Sequence, residues 1–219
     1  MMYKLGDSLP NPEDMMFPLD SGRLCLNAVA THGARTTESF DRWQTPSDLS
    51  RWCVEAELLA VAPPASAEDL EAARALREVI YRVVQAARTQ QSLDRSDIEF
   101  LNDWAARPAR VPQLMTNGRM VKWTAEEPLE AALVSVARDA IDLLAGESIG
   151  RIRECAEESC SILFVDNSRP GKRRWCSMER CGNRIKKKAF RQRQRSLNQN
   201  ASQSEEPFPD QPDENLSSR

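Results

Sequence analysis

The chain has little histidine, little glycine and no long apolar run. A single histidine, His32, stands among 219 residues. Histidine-metal nuclease fingers and Cys–His nucleophile pairs therefore have almost nothing to assemble from. Glycine is scarce, with eight in all, and none falls in a phosphate-cradling loop. No apolar run approaches the roughly 20 residues needed to cross a bilayer, so no contact with a membrane is expected. Residues 1–20 hold one lysine and three prolines and lack the basic start and apolar stretch of a secretory signal, from which a cytoplasmic location is expected. No acid–base constellation emerges from the polar residues, and the expectation is a protein that is not an enzyme.

What is present is unevenly distributed. The formal net charge is −3, yet between Arg169 and Arg195 there are twelve Lys or Arg and one Glu, a local +11 that leaves −14 for the rest. Basic charge packed this densely repels itself unless a polyanion neutralises it. Nucleic acid is the natural partner, with a solvated surface helix as the plainer reading.

The six cysteines divide by spacing. Cys25 and Cys53 lie singly in helix-like apolar patterns, where a free cysteine behaves as a small buried hydrophobe. The other four fall as Cys155 and Cys160, then Cys176 and Cys181, each pair enclosing four residues. Two short-spaced pairs joined by a loop let four thiolates converge on one Zn²⁺. Two disulfides are the competing reading, which a reducing cytosol disfavours. Four thiolates fill the shell and leave no position for water, so the expected zinc is a single structural ion rather than a catalytic one.

Periodicity predicts a mainly α fold: a helical N-terminal domain with a short β-hairpin, plus a small C-terminal zinc-binding module of short strands and a basic helix. A short helix is expected over 21–31. Thr45, Pro46 and Asp48 read as cap, first turn and capping partner of a helix to about Leu59. Ser66 and Asp69 start a long helix whose Leu70, Ala73, Leu76, Ile80, Val83 and Val84 form an apolar stripe. Asp94 caps a helix from about Arg95 to Ala106, with Ile98, Leu101, Trp104 and Ala105 on its inner face. Asn117-Gly118 between short apolar runs signals a tight hairpin within 112–123. Pro128 to Ala145 returns to helix, stopped by Gly146. The expected divisions are an N-terminal arm at 1–16, the helical domain at 17–150, the zinc module at 151–195 and a disordered tail at 196–219, the last from its Ser, Asn, Gln, Glu, Pro and Asp content.

Within the zinc segment, Ser161 to Val165 reads as a strand, Asp166 to Gly171 as a turn, and Cys176 to Cys181 as a knuckle leading into helix. Cys181 is expected at that helix's N-terminus, where backbone N–H groups favour a thiolate. Ile185 and Ala189 share one side for docking. Arg184, Lys188, Arg191 and Arg195 recur on another, with Lys187 beside them. Together with Lys172, Arg173 and Arg174 of the loop they are the candidate nucleic-acid contacts. Trp175 is expected to cover the metal site rather than stack on a base.

The stretches Cys155–Cys160, Phe164–Arg169, Arg174–Met178 and the tetrad Cys181, Gly182, Asn183, Arg184 together resemble the CGNR zinc-finger family of bacterial proteins. The helix start at Thr45–Leu49, Ala75–Glu78 and Ala137–Ala140 are similar to its N-terminal helical domain, ABATE. The resemblance spans about residues 17–194. It implies a DNA-binding, stress-induced transcription regulator. The helical domain is then expected to sense a small-molecule ligand or to form a homodimer; a protein- or RNA-interaction adaptor that uses the basic zinc module is the alternative. One departure is visible: where the family shows Asp-Phe-x-Asn-Thr, this chain has Leu24 to Ala28 and matches only at Asn27.

Overall fold

The computed structural model describes residues 12–116 and 118–203. Residues 1–11, Asn117 and residues 204–219 lie outside it, and with them most of the expected arm and most of the expected tail. Six α-helices are described: α1 (Leu24–Val29), α2 (Pro46–Glu55), α3 (Ala67–Arg88), α4 (Arg95–Ala106), α5 (Pro128–Ala145) and α6 (Asn183–Gln203). Six short strands form three separate antiparallel pairs: β1 (His32–Gly33) with β2 (Phe40–Asp41), β3 (Val111–Leu114) with β4 (Val121–Thr124), and β5 (Ile152–Glu154) with β6 (Leu163–Val165).

Local chemistry starts the helices where the sequence places them. Thr45 and Asp48 close a capping box on α2, and Ser66 and Asp69 do the same on α3; each satisfies two otherwise orphaned N–H groups. The Asp94 carboxylate accepts from the Ser96 N–H at the start of α4. Helix α2 stops at Glu55, short of the expected Leu59. Glu57 takes a left-handed φ of 57°, and the N–H groups of Leu58 and Leu59 both turn back to the Cys53 carbonyl. At Gly146 the helix stop is steric: a Cβ there would lie 2.8 Å from the Asp142 carbonyl oxygen.

Helix α5 is central, contacting α1, α2, α3 and α4. Its buried face alternates Leu and Val with Ala131, Ala132, Ala137 and Ala140, small residues that let four neighbours approach. The expected stripe of α3 is buried throughout. On α4 the inner face is partly reversed. Leu101 and Trp104 are buried, whereas Ile98 is exposed and Asp97 is buried because it receives a two-point pair from Arg82 of α3. The β3–β4 pair forms as expected, in the register Val111 with Thr124 to Leu114 with Val121, and exposes Leu114, Val121 and Trp123.

The β1–β2 pair, which no sequence signal marks, anchors a part-buried ionic network around Arg77. Arg77 of α3 is almost fully enclosed and donates through both terminal nitrogens to Asp41 at 2.7 Å and through one of them to Thr31. Glu78 accepts from Arg77, from Arg35 and from the Nδ1 side of His32. Burial raises the Glu78 pKa, but these hydrogen bonds, led by His32 and Arg35, and the charges of Arg35 and Arg77 outweigh it and hold the carboxyl well below the usual carboxylate range; Asp41 is lowered too, chiefly by Arg77 against its own burial. A carboxylate depressed in the folded state contributes stability above its unfolded pKa, about 4, and loses it as pH falls through the lower folded value. Acid unfolding should therefore begin below about pH 4. Glu78→Gln should cost about 1–3 kcal/mol at neutral pH and flatten the decline below pH 4, both measurable by denaturant titration across pH. An unchanged acid profile would remove Glu78 from the network's contribution.

Candidate metal centre and basic helix

The β5–β6 hairpin carries the first pair of cysteines. Ile152, Leu163 and Val165 point into the main helical core, while Ile162 and Phe164 face the cysteines. One short hairpin thus belongs to both clusters. The Cys155 N–H closes on the Ile162 carbonyl, and the Cys160 N–H on that of Glu157, forming the first knuckle. Asp166 then organises the return: it accepts from the Ser168 N–H and hydroxyl and from the Arg173 N–H, and the Ser168 hydroxyl, ahead of the two N–H groups, lowers its pKa.

Cys176 and Cys181 come from the second knuckle. Met178–Gly182 is a single wide turn, closed from the Gly182 N–H back to the Ser177 carbonyl, and it runs directly into α6. Cys181 thus sits within this turn rather than at the N-terminus of α6 itself. The four Sγ atoms lie within 4.8 Å of one another, and all four residues are buried. Cys176 Sγ is 3.6 Å from the Sγ atoms of both Cys160 and Cys181. Zinc–sulfur bonds of about 2.3 Å place tetrahedral corners about 3.8 Å apart. A disulfide needs about 2.05 Å, and all six cysteines are free. The Cys176 N–H also points at Cys155 Sγ, at 3.5 Å, an outer hydrogen bond of the kind that orients thiolate ligands.

The crowding of the four sulfurs makes the same demand. Four thiolates this close are stable only around a cation. Cys155, Cys160, Cys176 and Cys181 fit one structural Zn²⁺, which supplies a cross-link between the two knuckles. By contrast, burial pushes Cys53 up to about 12 and Cys25 well above its ordinary value, leaving both as inert core thiols.

The helical domain clamps this centre. Ala34 and Ser161, at φ of 50° and 54°, are non-glycine residues in left-handed conformation on opposite sides of the junction. The Ala34 N–H reaches the Cys160 carbonyl, and the Arg35 N–H donates to Ser161 Oγ at 2.8 Å. Such backbone strain persists only where the surroundings over-determine it. Buried Arg42 donates to the Ala30 carbonyl, and its pKa is lowered to about 10, first by burial and then by the charge of Arg180. Trp175 packs half-buried against the cysteines, in the covering position expected of it.

The candidate nucleic-acid contacts separate into three kinds. Lys187, Lys188, Arg191 and Arg195 are exposed on α6 and, with Arg184 and Gln192, line one shallow groove of about 490 Å³. Lys172 and Arg174 are exposed on the loop. Arg173 is turned inward: its guanidinium donates to the carbonyls of Trp175 and Cys176 and stacks 4.5 Å from the Phe164 ring centroid, so its donors serve the module. Arg184 is paired with Asp14 at 2.6 Å. The expected docking side of α6 is slight, since Ile185 is half-buried but Ala189 is exposed. The helix continues to Gln203, past the expected end at Arg195, with Ser196 Oγ bonding back to the Gln192 carbonyl. Asn27, the one match in the early family stretch, is used locally: its amide joins the Ser21 N–H and the Leu19 carbonyl.

Fold and site together define a helical domain fused to a closed four-thiolate zinc finger. Family models agree with that division. The ABATE model, described as "Putative stress-induced transcription regulator", matches residues 22–147, and the CGNR zinc finger matches residues 151–194. The chain belongs to the ABATE family and carries a CGNR zinc finger. Neither family is one of enzymes. No curated protein matches the chain.

Proposed function

We propose that this protein is a DNA-binding transcription regulator, located in the cytoplasm, in which the zinc centre fixes the start of α6 and α6 lies along a phosphate backbone. The observation that carries this reading is the groove on α6, where Arg184, Lys187, Lys188, Arg191 and Arg195 converge. These positions recur at three, four, seven and eleven residues, which places them on one side of a helix. From Arg184 to Arg195 they cover about 17 Å of helix axis. A helix this polar has no apolar stripe to bury, and a polyanion is what neutralises its charge. Phosphates carry no sequence information, so the groove accounts for affinity rather than for a target site.

The helical domain would act as a ligand-sensing or dimerisation module, without catalysis. Its buried positions serve packing, and its polar cluster is consumed in the Arg77–Asp41 and Glu78 pairs. Dimerisation has the better-defined surface, the exposed Leu114, Val121 and Trp123 of the β3–β4 hairpin. Among the described residues no helix is long and apolar enough to cross a membrane.

The test is a fluorescence-anisotropy titration of the zinc-loaded chain with duplex DNA and with single-stranded RNA, each challenged by an acidic protein. Preference for duplex DNA that survives the competitor supports the regulator. Preference for the RNA, or loss of DNA to the acidic protein, favours an adaptor.

A further inference from the structure

We propose that Arg180 and Arg184 form a phosphate site for the nucleic-acid backbone, which in the free chain is filled by the carboxylate of Asp14. The inference rests on the nucleic-acid reading above and adds an internal competitor to it. Residues Met16 to Asp20 and the start of α6 face each other across a cleft of about 690 Å³, lined on the helix side by Arg180, Arg184 and Lys187 with Glu179 beside them. Asp14 belongs to the single turn Pro12–Met15 and meets Arg184 Nη2 at 2.6 Å. Arg180 Nη2 reaches the Met16 carbonyl at 3.4 Å.

Among the guanidinium groups of this cleft Arg180 is left short of an acceptor: its Nη1 is buried without a hydrogen-bond partner, as is Nε of Arg42 behind the cleft. The charges of Asp14 and Asp41 both act on Arg42, whereas the Asp14 carboxylate pairs directly with Arg184 alone and leaves Arg180 without a carboxylate partner. A phosphodiester carries the same charge and accepts in the same planar fork geometry that suits arginine. Asp14 is held there from the other side: Phe17, three residues on, is buried in the helical core beneath the Arg51 guanidinium, 4.5 Å from its ring centroid. The segment therefore straps the helical domain to the first turn of the basic helix.

Salt dependence separates this contact from ordinary charge repulsion. In the wild-type chain a phosphate entering the site displaces a carboxylate, which takes back a cation from solution, so the exchange adds almost nothing to the salt slope. With Asp14→Asn the same contact releases a counterion and steepens log K against log salt by about 0.9.

Full-length, zinc-loaded protein should be titrated with a short duplex DNA at several salt concentrations, with zinc content and circular dichroism confirming the fold of each variant. Asp14→Asn should tighten binding by about 3- to 5-fold at low salt and steepen the slope by about one. Asp103→Asn, which removes one exposed acidic charge from α4, should leave the slope unchanged. Arg184→Gln should cost less than about twofold in the wild-type background and cancel the gain in the Asp14→Asn background, a non-additivity that marks coupled residues. Wild-type binding with an Asp14→Asn variant unaltered in affinity and slope overturns the inference alone. Absence of wild-type binding at low salt overturns the nucleic-acid reading and the inference together.

Discussion

Cys176→Ser should reduce bound zinc from about one ion per chain to almost none and lower the melting temperature by about 10–20 °C. The residue lies at the middle of the sulfur cluster, in contact with Cys160 and Cys181 and donating its N–H to Cys155, so its loss removes a ligand and disturbs the other three. Zinc in small four-ligand modules supplies on the order of 10 kcal/mol of folding free energy. A loss of about 5 kcal/mol seen by the whole chain corresponds to a shift of that size for a protein of about 200 residues. The damage should not stop at the family boundary near residue 150. Ile152, Leu163 and Val165 pack in the helical core, and the Val165 N–H bonds the Ser21 carbonyl. Hydrogen exchange should accelerate first across 152–182, then in α1, while α3 to α5 keep their protection. A metal-free protein with unchanged melting, or two disulfides by mass, would remove zinc from the account.

The second large effect is expected on binding. Lys188→Glu with Arg191→Glu should weaken duplex DNA binding by more than about 100-fold at 100 mM salt, because two phosphate contacts are lost and two repulsions take their place. Both side chains are exposed in the α6 groove, and among the described residues neither forms an ion pair, so zinc content and melting temperature should stay at wild-type values. That combination separates a contact surface from a structural one. Binding that survives the double substitution would assign the groove to another partner.

Much of this was legible from the sequence, and the exceptions share a cause. Capping boxes at Thr45 and Ser66, the stripe of α3 and the paired cysteine spacing are local signals, set by neighbours within a few positions. They appeared where expected. The β1–β2 pair has two residues per strand, too few for any periodicity, and β5 has three. The Arg77–Asp41 pair joins residues 36 apart in sequence, and no local pattern marks it. Lys172, Arg173 and Arg174 are three adjacent cations with the same sequence character; only the positions of Phe164 and the knuckle carbonyls turn the middle one inward. On α4 an Asp replaces an Ile at the buried edge because Arg82 arrives from another helix. The end of α6 differs from expectation for another reason: the polar run after Arg195 reads as tail by composition, yet through Gln203 it propagates a helix already nucleated at the zinc knuckle. Arg184 has the spacing of a phosphate contact, but the Asp14 that occupies it lies 170 residues away.

Salt titration of duplex DNA binding by the wild-type, zinc-loaded chain tests the central claim most directly. Lys187, Lys188, Arg191 and Arg195, with one of the loop cations Lys172 and Arg174, place about five phosphates within reach, Arg184 being engaged by Asp14. Counterion release then predicts a slope of log K against log salt of about −4 to −5, falling toward zero when a chelator removes the zinc and the start of α6 is no longer fixed. Binding absent at low salt, or a slope near zero in the zinc-loaded protein, would contradict the account.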